Sequence, residues 1–134
     1  MKQNGLSDIR LIAVDLDGTL LNREKAVSPR TLQVIESCRK RGILFAFATG
    51  RSEAAAGEYL RQLAPDAAVL AYGAQVMLHG QTVASRHMSP RVAAEVLRGV
   101  RHAGRIRYQL RDGRCYDTEP AEDCELLDWD SVIK

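Results

Sequence analysis

The chain has 134 residues, 46% of them hydrophobic and 27% charged, with 10 Gly, 4 Pro and a formal net charge of +2. This is the make-up of one ordinary folded domain, which excludes collagen, low-complexity disorder and a disulfide-dense miniprotein. No apolar run approaches the roughly 20 residues of a membrane-spanning helix. The polar start, MKQNGLSDIR, does not read as a signal peptide, so the cytoplasm is the expected location and no membrane partner is expected.

Residues 9–14 (IRLIAV) read as a short aliphatic strand, buried on both faces apart from Arg10. It runs into turn chemistry at Asp15-Leu16-Asp17-Gly18-Thr19. Ser28-Pro29 supplies an N-cap and a first-turn proline. Leu32, Ile35 and Cys38 form the apolar stripe of the helix that follows, and Gly42 is placed to end it. Residues 43–48 (ILFAFA) form a second strand, ending in Thr49-Gly50-Arg51. Ser52 caps a second helix bearing Tyr59, Leu60 and Leu63, which stops before Pro65. Residues 67–71 (AAVLA) form a third strand.

Strand, helix, strand, helix, strand with short joints predicts a parallel sheet of the α/β class. From about Tyr72 the rhythm changes. Residues 75–78 and 82–86 flank His79-Gly80-Gln81 as a hairpin, and Ser89-Pro90 starts a third helix. Val92, Val96 and Val100, with Ala93 and Leu97, form its expected apolar face, which Gly104 ends. Residues 106–110 and 114–116 flank Asp112-Gly113, a strong hairpin turn. The expected organisation is residues 1–86 as a first unit, including the 75–86 hairpin, and residues 87–134 as a small α+β unit with an acidic C-terminal segment.

Charge is unevenly spread. Residues 86–114 hold eight Arg against Glu95 and Asp112, and residues 117–130 hold seven acids and no base. A nucleic-acid footprint would read this way, but the Arg residues are scattered over a helix and two strands with only Tyr108 and Tyr116 among them. A solvated face pairing with the acidic segment is the better reading. Cys38, Cys115 and Cys124 have no metal-ligand spacing and read as incidental reduced thiols.

The chemistry gathers where the strands end. Asp15 and Asp17 follow the first strand, and the C-terminal edge of an open α/β sheet is where ligands bind. Spaced two apart, both carboxylates can converge on one site, with Gly18 permitting the tight turn. Thr49 and Gly50 end the next strand and offer a hydroxyl and an N–H beside a helix start, which are donors for an anion. Two acids beside an anion cradle call for a cation, and oxygen ligands with a phosphate suggest Mg²⁺. An Asx-type turn is the plain alternative for D-x-D-G-T, and an EF-hand loop fails for want of a third acid and a terminal Glu.

In order and spacing, VDLDGTLL (Val14–Leu21), FAFATGR (Phe45–Arg51) and AVLAYGAQV (Ala68–Val76) resemble the haloacid-dehalogenase-like superfamily of phosphohydrolases, in particular its Cof-like sugar-phosphatase branch. The resemblance implies a Rossmann-like parallel sheet with the beginning of an α+β cap. It implies Asp15 as the nucleophile that takes the phosphoryl group and as a Mg²⁺ ligand. Asp17 becomes the general acid and then base, its backbone carbonyl touching the metal. Thr49 and Gly50 bind phosphate, while Arg51, Tyr72 and Gly73 contact a small phosphorylated substrate. Tyr72 replaces the family's Asn before Gly-Ala. The family's later Lys and Asp pair have no matching positions: after Thr49 the only lysine is Lys134, and no apolar strand precedes Asp123, Asp128 or Asp130. The resemblance thus implies a Mg²⁺-dependent phosphohydrolase acting through an aspartyl-phosphate, with a catalytically incompetent N-terminal fragment as the alternative. The chain is expected to be an N-terminal piece, or to cover the free edge of its first strand with another copy by oligomerisation or strand swapping.

Overall fold

The computed structural model describes residues 9–100, together with the strand residues 106–109 and 115–118. Two compact units divide between Arg86 and His87.

In the first unit, strands β1 (Leu11–Asp15), β2 (Leu44–Ala48) and β3 (Ala67–Leu70) run parallel, joined by helices α1 (Pro29–Lys40) and α2 (Glu53–Leu63). This is the parallel α/β sheet that the strand–helix alternation implies, of the Rossmann-like kind that the family resemblance implies. Hairpin strands β4 (Gln75–Leu78) and β5 (Gln81–Ser85) extend the same sheet antiparallel, in the order β1-β2-β3-β4-β5. The turn between them is shorter than the three residues expected. Only His79 and Gly80 (φ 47° and 78°) lie outside the pairing, as the two-residue turns that suit strand twist require, and Gln81 pairs with Leu78.

Both helices start as their sequences predict. Ser28 Oγ accepts from Thr31 N (3.1 Å), and Ser52 Oγ accepts from Ala55 N (3.2 Å). α1 ends on Gly42 (φ 75°), where Gly42 N donates to Arg39 O (2.8 Å) and Ile43 N to Cys38 O (3.0 Å). These two bonds of a Schellman motif return the chain directly into β2. Arg39 also caps the far end of α2, donating to the carbonyls of Leu63 and Ala64.

The core packs Phe45 and Phe47 of β2, Leu70 of β3, Ile35 of α1 and Ala56, Tyr59 and Leu63 of α2, with Leu16 fully buried beneath the loop after β1. β2 is covered on both faces. β1 is not, and here the expectation of a strand buried on both faces is corrected. Leu11, Ala13 and Asp15 are exposed, because among the described residues β1 pairs only with β2 and forms the sheet edge.

The second unit contains α3 (Pro90–Val100) and the antiparallel pair β6 (Ile106–Gln109) and β7 (Cys115–Thr118). Ser89 Oγ accepts from Val92 N (3.3 Å) at the start of α3. Its buried residues are Ala94 and Leu97. Val92, Val96 and Val100 stand exposed, so the valine stripe is not the covered face. The expected stop at Gly104 and the Asp112-Gly113 turn lie outside the described residues. Among the described residues, no helix is long and apolar enough to cross a membrane.

Candidate active site

Parallel register lines the ends of three strands along one edge. Asp15 is the last residue of β1 and pairs with Ala48, which pairs in turn with Val69. Thr49 therefore leaves β2 one residue past the level of Asp15, about 4.8 Å away in the pairing direction. Thr49 N donates to Val69 O (2.9 Å), and the hydroxyl oxygen of buried Thr49 accepts from Arg51 N (3.2 Å). Beyond β1 the chain makes one wide turn, closed by Leu21 N donating to Leu16 O (2.9 Å), with Gly18 at φ 81°. This turn carries Asp17.

The two carboxylates live in different surroundings. Asp15 is exposed, and its side chain has no hydrogen-bond or ion-pair partner among the described residues. Asp17 is gripped from two sides. Arg51 Nε donates to Oδ2 (2.7 Å) and Nη2 to Oδ1 (2.8 Å), a bidentate fork, while Lys25 Nζ adds a third bond to Oδ1 (2.8 Å). Hydrogen bonds from Arg51 and then Lys25 hold the Asp17 carboxyl well below the usual carboxylate range, and the bond to Asp17 drives the Arg51 guanidinium upward.

The expected set is thus partly assembled by direct contact: Asp17 with Arg51, Arg51 with Thr49, and Gly50 with Tyr72. Two residues were missed. Lys25 sits at positive φ (59°) in a tight turn fixed by Asn22, whose Oδ1 accepts from Ala26 N (2.8 Å). Tyr59, read from sequence only as a residue of the second helix, supports both cations. The Arg51 guanidinium lies 5.1 Å above its ring, and its hydroxyl donates to Lys25 O (2.7 Å). Asn22 is a turn signal legible in the sequence; nothing local marks Tyr59.

After β3 the chain takes two left-handed residues in succession, Ala71 (φ 49°) and Tyr72 (φ 55°), followed by Gly73 (φ 92°). Such a conformation costs an L-residue about 1–2 kcal/mol. Three bonds hold it: Ala71 N to Arg51 O (2.8 Å), Tyr72 N to Thr49 O (3.3 Å) and Ala74 N to Ala71 O (3.1 Å). The hydroxyl end of the Tyr72 ring lies over Gly50, where a Cβ would stand 2.5 Å from the ring's Cζ, so a side chain at position 50 would push the ring aside.

Hard oxygen donors for a cation are present in Asp15's carboxylate and Asp17's main-chain carbonyl, the kind of set that suits an ion keeping most of its waters. No group of three acidic, His or Cys side chains suited to a metal occurs among the described residues.

Two carboxylates and a Thr-Gly turn gathered at the C-terminal edge of a parallel sheet make this an α/β protein with its candidate site where such sheets place their ligands. Residues 12–125 match the haloacid dehalogenase-like hydrolases, and the chain belongs to that family. It is 33% identical over 93 residues to the HMP-PP phosphatase of Cronobacter sakazakii, covering 67% of this chain and 34% of that protein. The structure of BT1666, a phosphatase of the haloalkanoate superfamily from Bacteroides thetaiotaomicron, superposes with a TM-score of 0.70 at 21% identity, covering 98% of this chain and 50% of that one. The subclass IIB sugar phosphatase BT4131 gives 0.67 at 18% identity, covering 90% and 48%. The chain therefore spans about a third to a half of the length of these relatives.

Proposed function

We propose that the chain carries the nucleophilic half of a Mg²⁺-dependent phosphohydrolase acting on small phosphate monoesters of the sugar-phosphate type. The observation that carries this reading is the contrast between the carboxylates: one unpartnered at the sheet edge, the other clamped by two cations. Two acids in unlike environments take unlike roles.

Asp15 attacks phosphorus. Its oxygen forms a bond to phosphorus as the bond to the leaving oxygen breaks, and Asp17 delivers a proton to that oxygen. Asp17 then takes a proton from water, whose oxygen bonds to phosphorus as the bond to the Asp15 oxygen breaks, releasing inorganic phosphate and freeing Asp15. The Thr49 hydroxyl, whose oxygen already accepts from Arg51 N, keeps its proton to donate to a phosphoryl oxygen. Asp17 must be protonated to act as an acid, yet Lys25 and Arg51 hold it ionised. An arriving phosphate dianion draws on both cations and, by its own charge, raises the Asp17 carboxyl. When bound by Asp15 and the Asp17 carbonyl, Mg²⁺ would neutralise charge on the phosphoryl group. Half-buried, reduced Cys38 fits a cytoplasmic setting.

The test is hydrolysis of an aryl phosphate with and without Mg²⁺. Metal-dependent turnover is expected, with Asp15→Asn falling to background and Thr49→Ala falling about 10²–10³-fold. Equal background rates in wild type and Asp15→Asn overturn the reading and leave a fold without the activity.

A further inference from the structure

We infer that Tyr72 is a specificity-determining platform, and that the preferred substrates are phosphate esters whose leaving group is flat and aromatic or heteroaromatic. The inference rests on the phosphohydrolase reading above and, among small phosphate monoesters, ranks aromatic leaving groups above those of plain sugar type.

The argument starts from a cost with no visible return in packing. Left-handed backbone favours Gly or Asn, whereas a bulky residue there is an outlier that persists where function holds it. Tyr72 is such a residue, and its neighbour Ala71 shares the strain. Tyr59, on ordinary helical backbone, buries its ring at 7% exposure. Among the described residues little packs on Tyr72, which is 93% exposed and so recovers almost none of the cost of its left-handed backbone. What the conformation does achieve is placement. The bonds to Thr49 and Arg51 fix the Tyr72 backbone to the very turn that offers donors to the phosphate. Gly50, by lacking a Cβ, lets the phenol settle against that turn. The result is an aromatic surface on the rim of the phosphate site, open to whatever the phosphate carries. Ring-on-ring stacking is the interaction such a surface offers, and it is tolerant of the partner's identity because every aromatic ring has a π-face.

The full chain is assayed with phenyl phosphate and glycerol phosphate as wild type, Tyr72→Ala and Tyr72→Phe. The expected result is a fall of about tenfold in the ratio of kcat/KM for phenyl over glycerol phosphate in Tyr72→Ala, carried by KM, with Tyr72→Phe retaining the wild-type ratio. An unchanged ratio in Tyr72→Ala overturns the inference while leaving the phosphohydrolase reading intact, and equal losses on both esters overturn it as well. Should wild type hydrolyse neither ester, that reading fails for this chain and binding decides the inference. Titrations followed by NMR would then show phenyl phosphate bound about tenfold more tightly than inorganic phosphate, with upfield shifts of the Tyr72 ring signals, and Tyr72→Ala would abolish the difference. Equal affinity for the two ligands overturns it.

Discussion

At the scale of single residues, the Asp17 ion pair ties chemistry to stability. Its carboxyl titrates below its ordinary value of about 4 in the folded state because Arg51 and Lys25 bond its ionised form. The unfolded chain therefore binds the proton first as pH falls. The stabilisation is complete above about pH 4 and is lost as pH drops through the folded value. Since the Asp17 side chain is 37% exposed, solvent screens the pair and the effect is smaller than the full shift would imply. Urea unfolding of wild type and Asp17→Asn at pH 7 and pH 3 checks this. The wild type is expected to lose more stability than the variant on acidification, and parallel losses would show that the pair contributes nothing. Such a pairing is hard to see in the sequence. Asp17 and Arg51 lie in two recognisable motifs, but only the parallel register of β1 and β2 brings them together. Lys25 arrives through a turn whose left-handed residue is itself a lysine.

At the scale of elements, what could be read was what is local. Caps at Ser28 and Ser52, the stop at Gly42 and the apolar runs of β2 and β3 depend on neighbours a few residues away, and each appears where it was expected within a residue or two. Which face a helix buries depends on what covers it. For that reason Val92, Val96 and Val100 misled, although their spacing fits a helix. The exit from α1 allows a clean test of local conformation. A Cβ at Gly42 would touch nothing within 4 Å, so Gly42→Ala carries only the cost of positive φ. A loss of about 1–2 kcal/mol is expected, seen as a lower urea midpoint at unchanged slope. No loss would mean that the αL exit does not limit stability.

At the scale of the whole molecule, the first strand is the exposed feature of the described sheet. The sheet order places β1 at an edge, and its surroundings are apolar: Ile9, Leu11, Val34 and Leu44 are each 41–54% exposed. Between α1 and the sheet lies a groove of about 250 Å³ lined by Ile12, Val14, Val34, Ile35, Leu44 and Phe45. A row of unpaired N–H and C=O groups beside apolar side chains is a template for strand addition, and natural edges are blunted with charge, above all with lysine. Among the described residues, β1 itself carries no charge before Asp15 at its far end, and the nearest one is Arg10, just ahead of the strand. We propose that in solution a second copy of this chain pairs along that edge, since its own β1 supplies an extended apolar strand of matching length. Sedimentation of the wild type should then show concentration-dependent dimers. Leu11→Lys, which introduces the missing charge at an already exposed position, should give monomers with unchanged circular dichroism. A monomeric wild type at high concentration, or a dimer indifferent to Leu11→Lys, would refute pairing through β1.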